Sequence, residues 1–392
     1  METKKSYIIL GFIFLIGIIL RVIVFGANNC YVHDDAALAI NIVNKSYLEL
    51  FCGLEFCQVA PPLFLIISKF VYYIVPKDYQ IIDLCLKLLP FLSAIISIPL
   101  FYILSNLIFR EKLKLYLANF IFTLNPLLIC LSGRFKQYST EVVIAILLYI
   151  IFYEYIIYGK WKKYWYFIIF LAPWISLSSL IILFSGIIIV FLKNKKIDKK
   201  ILSVVLASVS LFLIVYLPSN LQSNYVEMNS FWSKYGFMNI LHPQRLLIRL
   251  GELFLHEHKI TETFLGLLVL YKIIEYIINI KQRSIIIFTL MPILVTIILS
   301  ILHIYPFVDR LIAFLIPLFV IVITEYRNNI ISKVISVNFI LISFISLSIT
   351  ILNIYNLPNY RNNPAQYINS DKINKAYTPF YPVYKWYTHL EK

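Results

Sequence analysis

Acidic residues are scarce in this chain. Only 20 of its 392 positions are Asp or Glu, against 35 Lys or Arg, and charged residues of both signs reach just 14%. A soluble domain carries about 25%, so a water-facing surface of ordinary size is excluded. The sequence holds no phosphate-cradling glycine loop, no nucleophile elbow and no cysteine pair with metal spacing. It also lacks internal repeats and low-complexity linkers. The five cysteines are an odd number. Cys85 and Cys130 sit in apolar runs, whereas Cys52 and Cys57 flank a glycine, where a bridge and two free thiols both fit the spacing.

Apolar residues are abundant. They make up 60% of the chain, the mean hydropathy is +0.82, and apolar runs recur along its whole length. Many approach the ~20 residues that cross a bilayer as a helix. The fold class is therefore an all-α polytopic membrane protein with no separate soluble domain. The net charge of +15 does not signal nucleic acid, because it lies in short clusters between apolar runs. These are Lys4-Lys5, Arg110 to Lys114, Lys160 to Lys163, Lys193 to Lys200 and Lys281 to Arg283. Basic clusters at the ends of spans mark cytoplasmic loops.

Charge then threads the chain. Residues 7–26 form a retained first span, since the apolar core is long and no small-residue cleavage site follows. With the N-terminus in the cytoplasm, the loop over 27–82 is external. Its apolar run 61–76 begins Pro-Pro and carries Lys69 in the middle, which suits an interfacial amphipathic helix better than a crossing. Further crossings are expected over 83–106, 115–132 and 141–158. Two short ones meet near Ala172-Pro173-Trp174-Ile175-Ser176, and five more fall over 201–217, 260–280, 284–303, 311–326 and 330–352. That makes about eleven, within a domain over 1–355. A long external loop covers 218–259, and a short external tail covers 356–392.

This threading collects the polar residues on one side. Asp34, Asp35, Arg134, Lys136, Gln137, Tyr138, Glu141, His242, Arg245, Arg249, Glu252, His256, Asp309 and Arg310 all fall at external loops or span ends. A transporter places such groups at mid-membrane depth, so the pattern favours an enzyme at the outer interface over a flippase or exporter of lipid-linked glycans. Asp34 and Asp35 are the candidate catalytic carboxylates, because a hydroxyl that attacks a sugar needs a base. Capping of a helix over 36–47 by Asp34 is the structural alternative. Arg134, Lys136 and Tyr138 suit a lipid phosphate, or plain anchoring at the headgroups. Arg310 suits a departing phosphate, or a local pair with Asp309. The run His256-Glu257-His258 suggests a metal, but its spacing cannot chelate from one helix face, and no metal site is expected. Arg245 and Arg249 share a helical face and are substrate-groove candidates. They keep open an O-antigen ligase or polymerase type of enzyme.

Four stretches taken in order resemble a known family. His33-Asp34-Asp35-Ala36, Gln58-Val59-Ala60-Pro61-Pro62-Leu63, Lys136-Gln137-Tyr138-Ser139-Thr140-Glu141 and Tyr305-Pro306-Phe307 with Arg310 and Phe314 look like the signatures of GT-C membrane glycosyltransferases. Protein O-mannosyltransferases, the lipid A aminoarabinose transferase and bacterial Rgt-type core transferases belong to that group. The resemblance spans roughly residues 5–355. It implies a GT-C-type bundle in a bacterial cytoplasmic membrane, with its site on the outer face. It also implies inverting, cofactor-free and metal-independent transfer from a polyprenyl-phosphate sugar. The acceptor would be a lipid-linked glycan, lipopolysaccharide, polymer or protein hydroxyl. In that scheme Asp34 and Asp35 are catalytic, and Arg134, Lys136, Tyr138 and Arg310 bind the donor phosphate. Gln58, Gln137 and Glu141, with Arg245 and Arg249, line the groove. The chain departs from the family at Asp35, where a Glu is usual, and in having no sizeable soluble domain after the last span.

Overall fold

The computed structural model describes residues 2–27, 31–76, 78–195, 198–255, 259–280, 282–326, 330–355, 382–383 and 385–386. Among the described residues it contains sixteen α-helices and no strand. In chain order they are α1 (Glu2–Ala27), α2 (His33–Asn44), α3 (Pro62–Ile74), α4 (Tyr79–Leu86), α5 (Leu88–Ile108), α6 (Lys112–Thr123), α7 (Pro126–Ser132) and α8 (Tyr138–Tyr158). There follow α9 (Lys163–Ile175), α10 (Ser179–Asn194), α11 (Lys199–Tyr235), α12 (Gln244–Glu252), α13 (Lys259–Asn279), α14 (Arg283–Ile301), α15 (Ile316–Thr324) and α16 (Ile330–Tyr355). This is a multi-pass membrane protein.

The expected count of eleven spans does not emerge as eleven long helices. Among the described residues, five helices are long and apolar enough to cross a bilayer, or six if the bent pair α6–α7 is one span. The bend of that pair is 45°. It falls where Pro126 has no N–H to continue the ladder, and Asn125 restarts the helix by accepting from the Leu128 backbone. The segment expected to cross at 311–326 is a 3-10 turn over Ala313–Leu315 followed by the nine residues of α15. Every residue of α15 is buried. At 1.5 Å per residue it reaches about half of a ~30 Å hydrocarbon layer, so it is an internal post wrapped by other helices. The region 218–259, expected as a loop, is largely helical, because α11 continues unbroken for 37 residues to Tyr235.

Several basic side chains gather at one end of the bundle. At one end Lys114 pairs with Glu325 at 2.6 Å, Lys272 donates to the Glu325 carbonyl at 2.8 Å, and Lys193 and Lys162 close onto the end of α8. The basic clusters at 110–114, 160–163 and 193–200 belong to this end. The turns after α7, α9 and α14 gather at the other.

A lobe built from 31–86 covers that second end. Tyr31, Leu38, Ile42, Phe64, Leu65 and Phe135 are buried in its own apolar core. Lys69, mid-run in an apolar helix, is explained by its partners. Its ammonium donates to the carbonyls of Ile42 at 2.6 Å and Val43 at 3.1 Å, capping the last turn of α2, where the helix dipole favours a cation. The run 61–76 thus packs on α2 as the 13-residue helix α3. Elsewhere α12 lies directly against α13. A Cβ on Gly251 would meet the Glu262 carbonyl oxygen at 1.9 Å, and one on Gly266 would meet that of Leu247 at 1.9 Å. Only glycine allows that approach.

Lys69→Met keeps the stem and removes the charge that caps α2. It is expected to destabilise the lobe by about 2 kcal/mol, the value of hydrogen bonds from a charged donor. A thermal-unfolding midpoint of the detergent-solubilised variant equal to that of the wild type would contradict this account of α2.

Candidate active site

Asp34 and Asp35 lie in the first turn of α2, which starts at His33 and not at the expected Ala36. Neither caps it: the residue before the helix is Val32, and no side-chain cap bond forms. Successive helical positions point about 100° apart, so the two carboxylates diverge. Asp34 faces a cavity of about 590 Å³ and pairs with Arg310, Oδ2 to Nη1, at 3.1 Å. Asp35 turns inward, is 1% exposed, and takes Arg134 Nε at 2.7 Å. Arg310 therefore pairs across the fold with Asp34, whereas sequence proximity suggested Asp309.

The turn between α7 and α8 carries Arg134 and Lys136 on either side of Phe135. That ring is fully buried and stacks on Tyr31 at 5.7 Å and on Phe64 at 5.9 Å. One cation consequently reaches Asp35 and the other reaches Gln58, whose Oε1 accepts from the Lys136 ammonium. Gln58 in turn donates to the Phe56 carbonyl at 3.0 Å, and Gln137 donates to that of Val59 at 3.2 Å. These bonds hold a strained corner. Phe56 and Cys57 have φ of 59° and 52°, a region costly for side-chain-bearing residues.

Asp34, Gln58, Lys136, Gln137, Tyr138, Glu141 and Arg310 all line the cavity, so seven of the sequence-derived candidates meet at one place. Glu141 lies beside Leu177 and Ser178, where α10 begins. Arg134 and Asp35 stand just behind the wall. Among the cavity-lining side chains, Arg310 Nε and Gln137 Oε1 are buried and have no partner, and behind the wall Asp35 Oδ1 has none either. An unsatisfied guanidinium N–H is available for a ligand oxygen. The opposite half of the cavity is apolar, walled by Leu180, Ile181 and Phe184 of α10, Trp232 of α11, and Val295 and Leu299 of α14. Sequence reasoning missed this half. Trp232 fell within an expected loop, and the aliphatic residues are indistinguishable by type from those that face lipid.

Electrostatics sorts the groups. Burial works against the charge on Asp34, but Lys136, Arg310 and Arg134 outweigh it and hold the carboxyl below its usual range. It is ionised at neutral pH. Burial pushes Lys136 down to about 8 against the pull of both aspartates, so its ammonium survives at neutral pH and is lost as pH rises through that value.

Arg245 and Arg249 are elsewhere. They line a separate cleft of about 530 Å³ with Lys234, Lys259 and Glu262, and Arg249 is held by both oxygens of Glu252 and by the Tyr235 carbonyl. The structure does not bring them to Asp34. His256, Glu257 and His258 lie outside the described residues, among which no group of three or more metal-ligating side chains occurs. Cys52 and Cys57 are not disulfide-bonded.

No protein-family model and no curated protein sequence matches this chain. Among solved structures it is similar to the archaeal oligosaccharyltransferase AglB from Archaeoglobus fulgidus in complex with an inhibitory peptide and a dolichol-phosphate. That match has a TM-score of 0.54 and 12% identity, and covers 94% of this chain and 58% of that one. It is also similar to the Archaeoglobus fulgidus oligosaccharyltransferase tethered with an acceptor peptide containing the NVT sequon, with a TM-score of 0.52 and 11% identity over 99% of this chain and 60% of that one. The apo form matches with a TM-score of 0.50 and 12% identity over 92% of this chain and 58% of that one. This chain thus spans well under two thirds of their length. Those proteins are GT-C membrane glycosyltransferases, and this chain has that fold.

The cavity's affinity for a phosphomonoester, measured with dodecyl phosphate, is expected to fall as pH rises through about 8, because Lys136 then loses its proton. The limit is about tenfold per pH unit for a single titrating group. Lys136→Arg stays charged and is expected to abolish that decline. A wild-type affinity that is flat between pH 7 and 9.5 would remove Lys136 from anion binding.

Proposed function

We propose that the protein transfers a sugar from a polyprenyl-phosphate donor to an acceptor hydroxyl, with inversion at the anomeric carbon. One observation carries this reading. A single cavity joins an apolar trough to a cluster of cations around an ionised carboxylate, which matches a lipid tail, its phosphate and a base. The basic clusters at the far end of the bundle support a cytoplasmic location for that end and the N-terminus. The site then opens on the outer face of a bacterial cytoplasmic membrane. The similar archaeal enzymes, one solved with a dolichol-phosphate and another with a tethered acceptor peptide, support a lipid-phosphate donor and a separate acceptor.

In this reaction Asp34 takes the proton of the acceptor hydroxyl as its oxygen bonds to the anomeric carbon. The bond from that carbon to the phosphate oxygen breaks on the opposite side, and its electron pair leaves on the phosphate. Arg310, Lys136 and Tyr138 stabilise the charge that develops there, in a cavity where preorganised donors act at low dielectric. The unpartnered Nε–H of Arg310 is a ready donor to that oxygen. Asp35 and Arg134 form an internal pair that keeps α2 and the 133–137 turn in register, with the Arg134 charge acting on Asp34 through the wall. Gln58, Gln137 and Glu141 offer acceptors and donors to sugar hydroxyls. No cofactor enters this scheme.

Asp34→Asn is expected to lower kcat by about 10²–10⁴-fold, the range of general base catalysis, while expression and membrane insertion persist. The assay would follow sugar transfer from undecaprenyl-phosphate sugars by mass spectrometry of the products. Undiminished turnover in this variant would take Asp34 out of the mechanism. The double change Arg245→Ala with Arg249→Ala is expected to alter kcat by less than about threefold. If it abolished transfer while Asp34→Asn did not, an O-antigen ligase type of reaction at the second cleft would replace this reading.

A further inference from the structure

Four residues close to the end of the chain reach back to the site. Trp386 is 2% exposed and Val383 4%, both within the apolar core of the 31–86 lobe. The indole of Trp386 packs against Tyr31 with ring centres 5.4 Å apart, and its Nε1–H donates to Asp83 Oδ1 at 2.9 Å. Tyr31 Oη also bonds to Asp83, at its carbonyl, at 3.1 Å. The other face of this aromatic series is Phe135, the residue between Arg134 and Lys136. One position earlier, the Lys385 ammonium stands 5.6 Å from the centre of the Phe56 ring. Phe56 and Cys57 form the left-handed corner that presents Gln58 to Lys136.

A tail that merely rests on a surface has no reason to bury its largest side chain, and an indole buries favourably only where its N–H finds an acceptor. Here the acceptor is a buried carboxylate of α4, and the rings beyond it end at the turn that carries both site cations. Two contacts from adjacent residues thus converge on the two halves of the cavity rim: Trp386 through Tyr31 on residues 134–136, and Lys385 on residues 56–58.

We propose that Val383, Lys385 and Trp386 form a clasp that positions the active site, with Trp386 as a positioning residue for Lys136 and for the Phe56–Gln58 corner. This rests on the function proposed above for the cavity. The clasp docks from outside the bundle, so the distant end of the chain completes a site whose reacting groups lie before residue 311. Its action is indirect, because neither Trp386 nor Lys385 lines the cavity.

The test uses the full chain in detergent, with two readouts. The first is the alkylation rate of the native Cys57 thiol, which lines the cavity, by N-ethylmaleimide, mapped by mass spectrometry. The second is kcat and the donor KM with a panel of undecaprenyl-phosphate sugars. In Trp386→Ala, Cys57 is expected to react about tenfold faster, because the corner opens locally. Its kcat, per monodisperse molecule, is expected to fall about tenfold with donor KM changed less than about threefold. Trp386→Phe keeps a ring and loses the N–H, and should restore most of both values. Trp386→Ala with wild-type Cys57 reactivity and wild-type kcat, showing only a lower unfolding midpoint, would overturn the clasp. If the wild type transferred no sugar at all, the reading of the cavity would fail. Cys57 reactivity would then decide the clasp alone, and equal rates in the two proteins would overturn it.

Discussion

The site depends on charges that neutralise one another before they leave water. A carboxylate or guanidinium buried alone in a membrane protein is costly, and removing one partner of a buried pair strands the other. Asp35, 1% exposed, is tolerable only because Arg134 meets it at 2.7 Å. That pair joins α2 to the turn before α8, and every other feature of the cavity follows from the join. It turns Asp34 outward, it fixes Phe135 between its two neighbours, and it sends Lys136 to Gln58. The divergence of Asp34 and Asp35 assigns them different work. One is the cavity-facing base of the proposed reaction, and the other is the anchor that makes the base's surroundings permanent.

Much of this could be read from the residues. The scarcity of acids made two adjacent aspartates conspicuous, and the basic residues Lys114, Lys162 and Lys193 do lie at one end of the bundle. Seven of the singled-out residues line one cavity because short motifs in loops are visible against an apolar background. Lys69 was legible as an argument against a crossing, although its partner carbonyls were not. The failures have a common physical cause. Hydropathy measures composition and not length, so α15, buried on all sides, looked like a span, and α11, polar over its last turns, looked like a loop. The apolar half of the cavity was hidden for a related reason. Leu180 or Val295 facing a ligand is the same residue type as one facing lipid.

The second cleft shows how helical periodicity can be right and still mislead about place. Arg245 and Arg249 do share a face of α12, as the i, i+4 spacing requires. The placement of α12 is dictated by Gly251 and Gly266, which let two backbones touch. That contact holds the arginines to α13 and to the end of α11, away from Asp34. Positions that sequence reasoning treats as neutral, two glycines, thus decide which side chains can reach the cavity.

The length of α11 carries a consequence for the cavity. At 1.5 Å per residue its 37 residues extend about 55 Å, against a hydrocarbon layer of about 30 Å. Such a rod is far longer than one crossing needs. Trp232, near its tip, forms part of the cavity wall. The trough's wall is therefore borne partly on the far end of a single rod, about 50 Å from that rod's origin at Lys199.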